Sequence, residues 1–328
     1  MRNWTKAKQV LCVLALTVVG ASNQVGAQTN NKMTVIKVAY PAGGPADVAT
    51  RKVQARLSAA LGQTVIIENV PGAGGSIGAA NVLAAPADGN TLLSVTGNDL
   101  ILAPLAISHV KFKPENFRLL ANVFPTDFML VTSAAYSFDG LDDLVAKTKA
   151  AGKELSLGSW GYGSAPHLVG AEFKLATGVP VLDVPYRGAA PVMQGLLSKE
   201  IDMAFVPVAA SVIDHIRSGR IKAIGVANNN RNPFLPEVPT LNEGRHLKNF
   251  VHSAWAGIFV PRTAPEPVVT QLSKSLGEIV AGDEFQKFLK ESAALPVKAL
   301  TPQEADAYYQ AELVKFNQIA KKIGLEAK

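Results

Sequence analysis

Cysteine is all but missing from this 328-residue chain: the one it has, Cys12, lies in an N-terminal apolar stretch. If that stretch is removed on export, the mature protein has no thiol, no disulfide and no cysteine nucleophile. Leu11 stands where a lipid-anchor site wants a small residue, which argues against an anchor at Cys12. Charge is sparse and scattered as well, with charged residues at 18% against 48% hydrophobic and a formal net charge of +6. The adjacent basic pairs, Arg51-Lys52 and Lys321-Lys322, read as solvated helix faces, so no nucleic-acid partner is expected. The N-terminal apolar stretch falls short of the ~20 residues a spanning helix needs.

Motifs of chemistry are absent too. The five histidines (109, 167, 215, 246 and 252) show no HExxH or other ligand spacing, so neither a metal centre nor a cofactor is expected. Gly72 and Gly74 are followed by Ile77 where a dinucleotide fingerprint wants glycine, and no Gly-Lys-Ser/Thr occurs, which removes both nucleotide-loop patterns. Ser159 and Ser164 lie among glycines without forming G-x-S-x-G, so no catalytic residue is assigned.

What is present begins with an export signal. Arg2, Lys6 and Lys8 precede the uncharged stretch from Val10 to Ala21, and Val25-Gly26-Ala27 offers small residues for cleavage, so residues 1–27 read as a signal peptide and the protein as periplasmic. Cleavage would lower the formal charge from +6 to +3, since it removes those three cations and no acid.

The rest alternates strand and helix, which predicts α/β architecture with a mostly parallel sheet in each lobe and helices on both faces. Val35 to Asp47 runs strand, glycine loop, helix start, and the helix from Ala46 ends at Gly62. Val65 to Glu68 and Thr91 to Val95 are the next strands. Ala121 to Phe124 and Phe128 to Val131 read as two runs split by Pro125, at a crossing into a second domain. There the alternation resumes: helix 141–151, strand 155–158, the loop Ser159 to His167, helix 168–176, strand 179–184, helix 189–197, strand 201–206, a helix around 211–217 and strand 221–227. His252 to Val260 reads as a strand returning to the first domain, followed by helices at 268–280 and 304–323. The predicted division is residues 28–125 with 253–328 as one lobe and 126–252 as the other. Two hinge crossings suit closure on a ligand.

In such folds ligands sit where strand ends pass to helix N-termini, because unpaired backbone N–H groups and the helix dipole favour an anion there. The loops 41–47 and 159–167 are therefore the predicted halves of a cleft, joined by Thr96 at a third strand end. Asp47 fits either a capping role or ligand contact. His167 fits ligand recognition or a held helix terminus. Tyr186 and Arg187 stand at a strand end where the guanidinium could pair with a carboxylate. Trp160 and Tyr162 offer flat walls or interface packing.

The strings YPAGGPAD, VIIENVPGAGGSIGA, SWGYGSAPHL, DVPYRGAAP, PEVPTLNEG and SAWAGIFVPRTAP occur in one order and spacing. Taken together they make the mature chain resemble the Bug-type solute receptors, the periplasmic binding proteins of tripartite tricarboxylate transporters. The resemblance implies a type II "Venus flytrap" holding a carboxylate-bearing small molecule through backbone amides and ordered waters, with delivery to a membrane permease. Carried over by position, Tyr40, Ala42, Gly43, Gly44 and Asp47 would line one lobe, and Ser159, Gly161, Ser164 and His167 the other, with Tyr186 and Arg187 nearby. Ala46 stands where the family commonly has threonine, and Ala165-Pro166 where it has hydroxyl residues, which implies a more apolar pocket.

The expected protein is a monomeric, non-enzymatic periplasmic receptor for a small organic anion. The alternatives are a secreted serine hydrolase using Ser159 or Ser164, and a sensor partner that presents a metabolite to a membrane kinase.

Overall fold

Alternation decides the first strand: in β1 (Met33–Val38) Thr34, Ile36 and Val38 are buried and the residues between them are not. The structure, a computed structural model, describes residues 33–327; the signal peptide assigned to 1–27 lies outside the described residues. Helix α1 (Pro45–Leu61) starts with Pro at its first position behind Gly44 and stops where Gly62 turns left-handed. Its Ala49, Val53 and Leu57 are fully buried, the stripe a helix on a sheet needs.

After β2 (Thr64–Asn69) and α2 (Ser76–Leu83), β3 (Thr91–Thr96) runs directly into α3 (Gly97–Ala106). The sequence predicts a loop at Thr96 to Asn98, where the structure has the cap and first turn of α3. Helix α3 escapes a periodicity search because Leu100, Ile101, Leu102 and Ala103 are all buried, so it has no polar face. Strand β4 (Phe117–Ser133) is one long strand, not the two runs expected. Pro125 lies just past a register shift between Asn122 and Phe124 and before pairing with β7 begins at Phe128, the kind of place where a strand accepts proline.

The second half follows as α4 (Leu141–Ala151), β5 (Leu155–Ser159), α5 (Ala165–Thr177), β6 (Val181–Pro185), α6 (Ala189–Ser198), β7 (Met203–Pro207), α7 (Ala210–Arg217) and β8 (Ile221–Val226). Helix α5 starts three residues earlier than expected, with Pro166 near its N-terminus where proline fits. The chain returns through β9 (Ser253–Pro261) and ends in α8 (Glu266–Ala281), α9 (Asp283–Glu291) and α10 (Pro302–Lys322); the short α9 was not anticipated.

The strands order as β2-β1-β3-β9-β4-β7-β5-β6, with β8 also on β4. Strands β2, β1 and β3 pair in parallel, as do β7, β5 and β6. Antiparallel β9 and β4 join the two groups. Strand β4 lies on β9 from Phe117 to Asp127 and on β7 from Phe128 to Thr132, so one strand serves two half-sheets. Helix starts at the ends of β1, β3, β5 and β6 thereby come to the line between them.

Candidate functional site

A hollow of about 530 Å³, its open mouth included, sits on that line. Gly44, Pro45 and Ala46 bring the N-terminus of α1 to it, and Ala189 and Ala190 bring that of α6. The two ends nearly touch, since a Cβ at Gly188 would lie 3.3 Å from the Pro41 ring. Four aromatic residues, Tyr40, Phe124, Trp160 and Trp255, line it, with Thr96 and Thr126 as its polar residues besides the Tyr40 hydroxyl. The Thr126 hydroxyl donates to the Val208 carbonyl at 2.7 Å and so turns from the space.

Behind Tyr40 lies a buried carboxylate that the sequence reading did not find. The Tyr40 hydroxyl donates to Asp99 Oδ2 at 2.6 Å and accepts from the Thr96 N–H at 3.1 Å. Thr96 caps α3, its Oγ1 accepting from the Asp99 N–H at 3.3 Å. The other oxygen of Asp99 accepts from the Ala165 N–H at 2.7 Å, at the first turn of α5. A side chain of the first half-sheet thus caps a helix of the second. Burial pushes the Asp99 carboxyl up to about 6, against the opposing pull of hydrogen bonds from Tyr40, the Ala165 N–H and Thr96. Burial first, and the Asp99 charge next, raise Tyr40 well above an ordinary phenol, so it stays protonated and a donor.

Of the residues singled out from sequence, Tyr40, Gly44 and Thr96 line the hollow, as do Trp160 and Ala46. Ala42 and Gly43 are exposed beside it. A side chain at Gly43 would meet nothing within 4 Å, so its φ of +88°, not crowding, is what calls for glycine. Asp47 is engaged elsewhere: its oxygens accept from the Gly43 N–H at 2.9 Å, from Arg51 at 2.9 and 3.1 Å and from Asn69 at 2.9 Å. Burial alone would raise its carboxyl, but these donors together hold it below its ordinary value. It fixes the loop's shape.

On the other side, Ser159 and Ser164 are fully buried, and neither hydroxyl has a hydrogen-bond partner among the described residues. An activated nucleophile needs a base in reach, and neither serine has one there. The Gly161 carbonyl accepts from the Ser164 N–H at 3.1 Å and closes the turn before α5. His167 packs on Tyr162 with ring centroids 4.5 Å apart and faces a separate groove beside Glu154 and Lys174. Tyr186 bonds through its N–H to the Ser159 carbonyl at 2.8 Å, with its hydroxyl turned to Gly195 of α6. Arg187 is exposed and has no hydrogen-bond or ion-pair partner among the described residues. Sequence reasoning missed Phe124, Thr126, Pro207, Ala254, Trp255 and Ala256. The signal for Trp255 was Gly97: a Cβ there would come within 1.9 Å of the indole, so only glycine lets the ring lie on α3.

Residues 49–325 match the family described as the tripartite tricarboxylate transporter family receptor. The chain belongs to that family. BugT of Bordetella pertussis is 28% identical over 333 residues, covering 99% of this chain and all of BugT. The UPF0065 protein of the tcbD-tcbE intergenic region of Pseudomonas sp. is 31% identical over 77% of this chain and 75% of its own length. Among solved structures, the periplasmic binding protein BugD superposes with a TM-score of 0.82 at 31% identity, over 90% of this chain and 99% of BugD. An R. palustris protein with adipate gives 0.83 at 26% identity over 90% and 99%, and MatC of Rhodopseudomonas palustris with bound malate 0.79 at 25% over 88% and 98%. The fold is therefore that of a two-lobed periplasmic binding protein, and the family is one of binding receptors. Among the described residues of this receptor no helix is long and apolar enough to cross a membrane.

Proposed function

We propose that this receptor is exported to the periplasm by residues 1–27 and closes on a small carboxylate-bearing organic anion, which it hands unchanged to a permease of the tripartite tricarboxylate type. It works as a monomer, with residues 28–125 and 253–328 as one lobe and 126–252 as the other. The observation that carries the reading is the hollow lined by two helix N-termini, α1 from the first half of the chain and α6 from the second. Their first-turn N–H groups lack partners within the helix, and both dipoles present positive ends. Adipate and malate in two related structures support the ligand class.

The contacts that bind this anion exist on both sides only when the lobes are together, so the anion shifts the population toward the closed form. Thermal shift over a panel of carboxylic acids tests this, because a ligand at 100 times its dissociation constant adds about 2.7 kcal/mol of stability. A panel with no response defeats the reading.

Gly188 is the sharpest steric probe. Its φ of +120° and the 3.3 Å gap to Pro41 mean that Gly188→Val strains the α6 start and wedges it from the α1 loop. Calorimetric titration with the best acid of the panel should show at least tenfold weaker binding, with a folding loss of about 1–3 kcal/mol from the strained backbone. Unchanged affinity would remove α6 from the site.

A further inference from the structure

The polar and apolar parts of the hollow are unevenly placed. Tyr40, Phe124, Trp160 and Trp255 wall it, and among the described residues no lysine, arginine or histidine lines it. The side-chain hydroxyls on the wall are already used within the protein, Tyr40 on Asp99 and Thr126 on Val208. What can meet a negative charge is the backbone of the first turns of α1 and α6, where the one acid, Asp47, is paired with Arg51. Trp160 adds a second sign that a guest belongs there: it is 94% buried by its 6% exposure, lines the hollow, and its Nε1 has no hydrogen-bond partner among the described residues.

The third helix start near the cleft is already filled. The first N–H of α5, on Ala165, is taken at 2.7 Å by Asp99, a fully buried carboxylate anchored on α3. A ligand carboxylate reaching for that helix would meet another carboxylate that has no basic partner among the described residues, and like charges in a poorly solvated place repel strongly.

We infer that the cleft is built for a monocarboxylate with an apolar body of aromatic-ring size, its charge between α1 and α6, and that Asp99 occupies the seat a second carboxylate would need. The inference rests on the carboxylate reading above and narrows it. Asp99 acts here as a specificity-determining residue: the protein supplies the second anion from its own chain. The apolar body stacks against the ring walls, where burying aromatic surface favours binding in a way a short diacid cannot match.

The test is isothermal titration of the mature chain with benzoate and phenylacetate, with the diacids succinate, malate and adipate, and with benzamide as a neutral ring. At least tenfold tighter binding of an aromatic monoacid than of any diacid is expected, with benzamide at least tenfold weaker than benzoate. A diacid that binds tighter than both monoacids overturns the inference and leaves the carboxylate reading standing. Benzamide binding as well as benzoate, or no acid binding at all, overturns the carboxylate reading and the inference with it. Asp99→Ala supplies an independent arm: it releases the Ala165 N–H and the Tyr40 hydroxyl as two donors, and should move the diacid-to-monoacid affinity ratio at least tenfold toward the diacid. Circular dichroism and a cooperative thermal unfolding transition check that this variant is folded. An unchanged ratio in a folded variant overturns the role given to Asp99, and if the variant does not fold, the wild-type panel alone decides.

Discussion

Trp255→Ala is expected to lower stability by about 3–5 kcal/mol, the range for emptying a well-packed aromatic site. Trp255 is 1% exposed on β9, with Tyr308, Phe259 and Tyr309 around it at centroid distances of 5.0, 6.0 and 6.4 Å. Its indole packs directly against Gly97, and its Nε1 donates to Glu312 Oε2 at 2.9 Å. Alanine therefore removes a large apolar group, opens a cavity next to the hollow and leaves a little-exposed carboxylate without its donor, and these costs add. Trp255→Phe keeps most of the packing and loses the N–H, so it should fall between wild type and alanine. Guanidinium denaturation of the three proteins checks the order. A loss under about 1 kcal/mol for alanine would mean that β9 and α3 can collapse together, and that Gly97 is not held open by the ring.

The binding consequence separates this residue from an ordinary core position. Trp255 lines the hollow, so the alanine variant should lose affinity for the carboxylate ligand even where saturating ligand keeps it folded. That links one packing contact, glycine against indole, to stability and to the site.

Much of this arrangement was legible in the chain because it is local. The strand, loop and helix start at Val35 to Asp47 is carried by residues next to one another: apolar alternation, then Pro41 and two glycines, then Pro45. The structure has that order, with α1 behind Gly44 and Pro45. Ala46 lies on the wall of the hollow. What was not legible is long-range or lacks a period. Asp99 meets Ala165 across 66 positions, and nothing near either residue marks the pairing. Helix α3 hides because burial on every side erases its amphipathic stripe. Gly97 read as a turn residue because close approach and turn chemistry ask for the same amino acid. The loop 159–167 showed glycines and hydroxyls, yet its serines point into the protein, and the neighbouring α6 start brings its backbone to the hollow instead.

The second large effect concerns acid. Glu172 on α5 lies with Oε2 2.9 Å from His252 Nε2, just before β9, and its Oε1 accepts from Lys322 Nζ of α10 at 2.6 Å. One carboxylate on α5 thus ties together the start of the returning strand and the C-terminal helix. The His252 contact foremost, then Lys322, outweigh the penalty of burial and hold the Glu172 carboxyl down to about 2 from an ordinary 4.5. A depressed carboxyl stabilises the fold above its unfolded value and loses that contribution as pH falls through its folded one, so the window here runs from about 4.5 down to about 2. With Lys322 mostly in water and its share screened, the contribution is on the order of 2–3 kcal/mol. Glu172→Gln should therefore be less stable than wild type by roughly that amount at pH 7, and the gap should close toward pH 2 as wild type loses the charge the variant never had. Urea denaturation of both proteins at pH 7, 4 and 2.5 reads the gap directly and cancels the other carboxylates they share. A gap that stays constant across those pH values would mean that Glu172 acts through packing, and that the tie between α5 and α10 is not held by its charge.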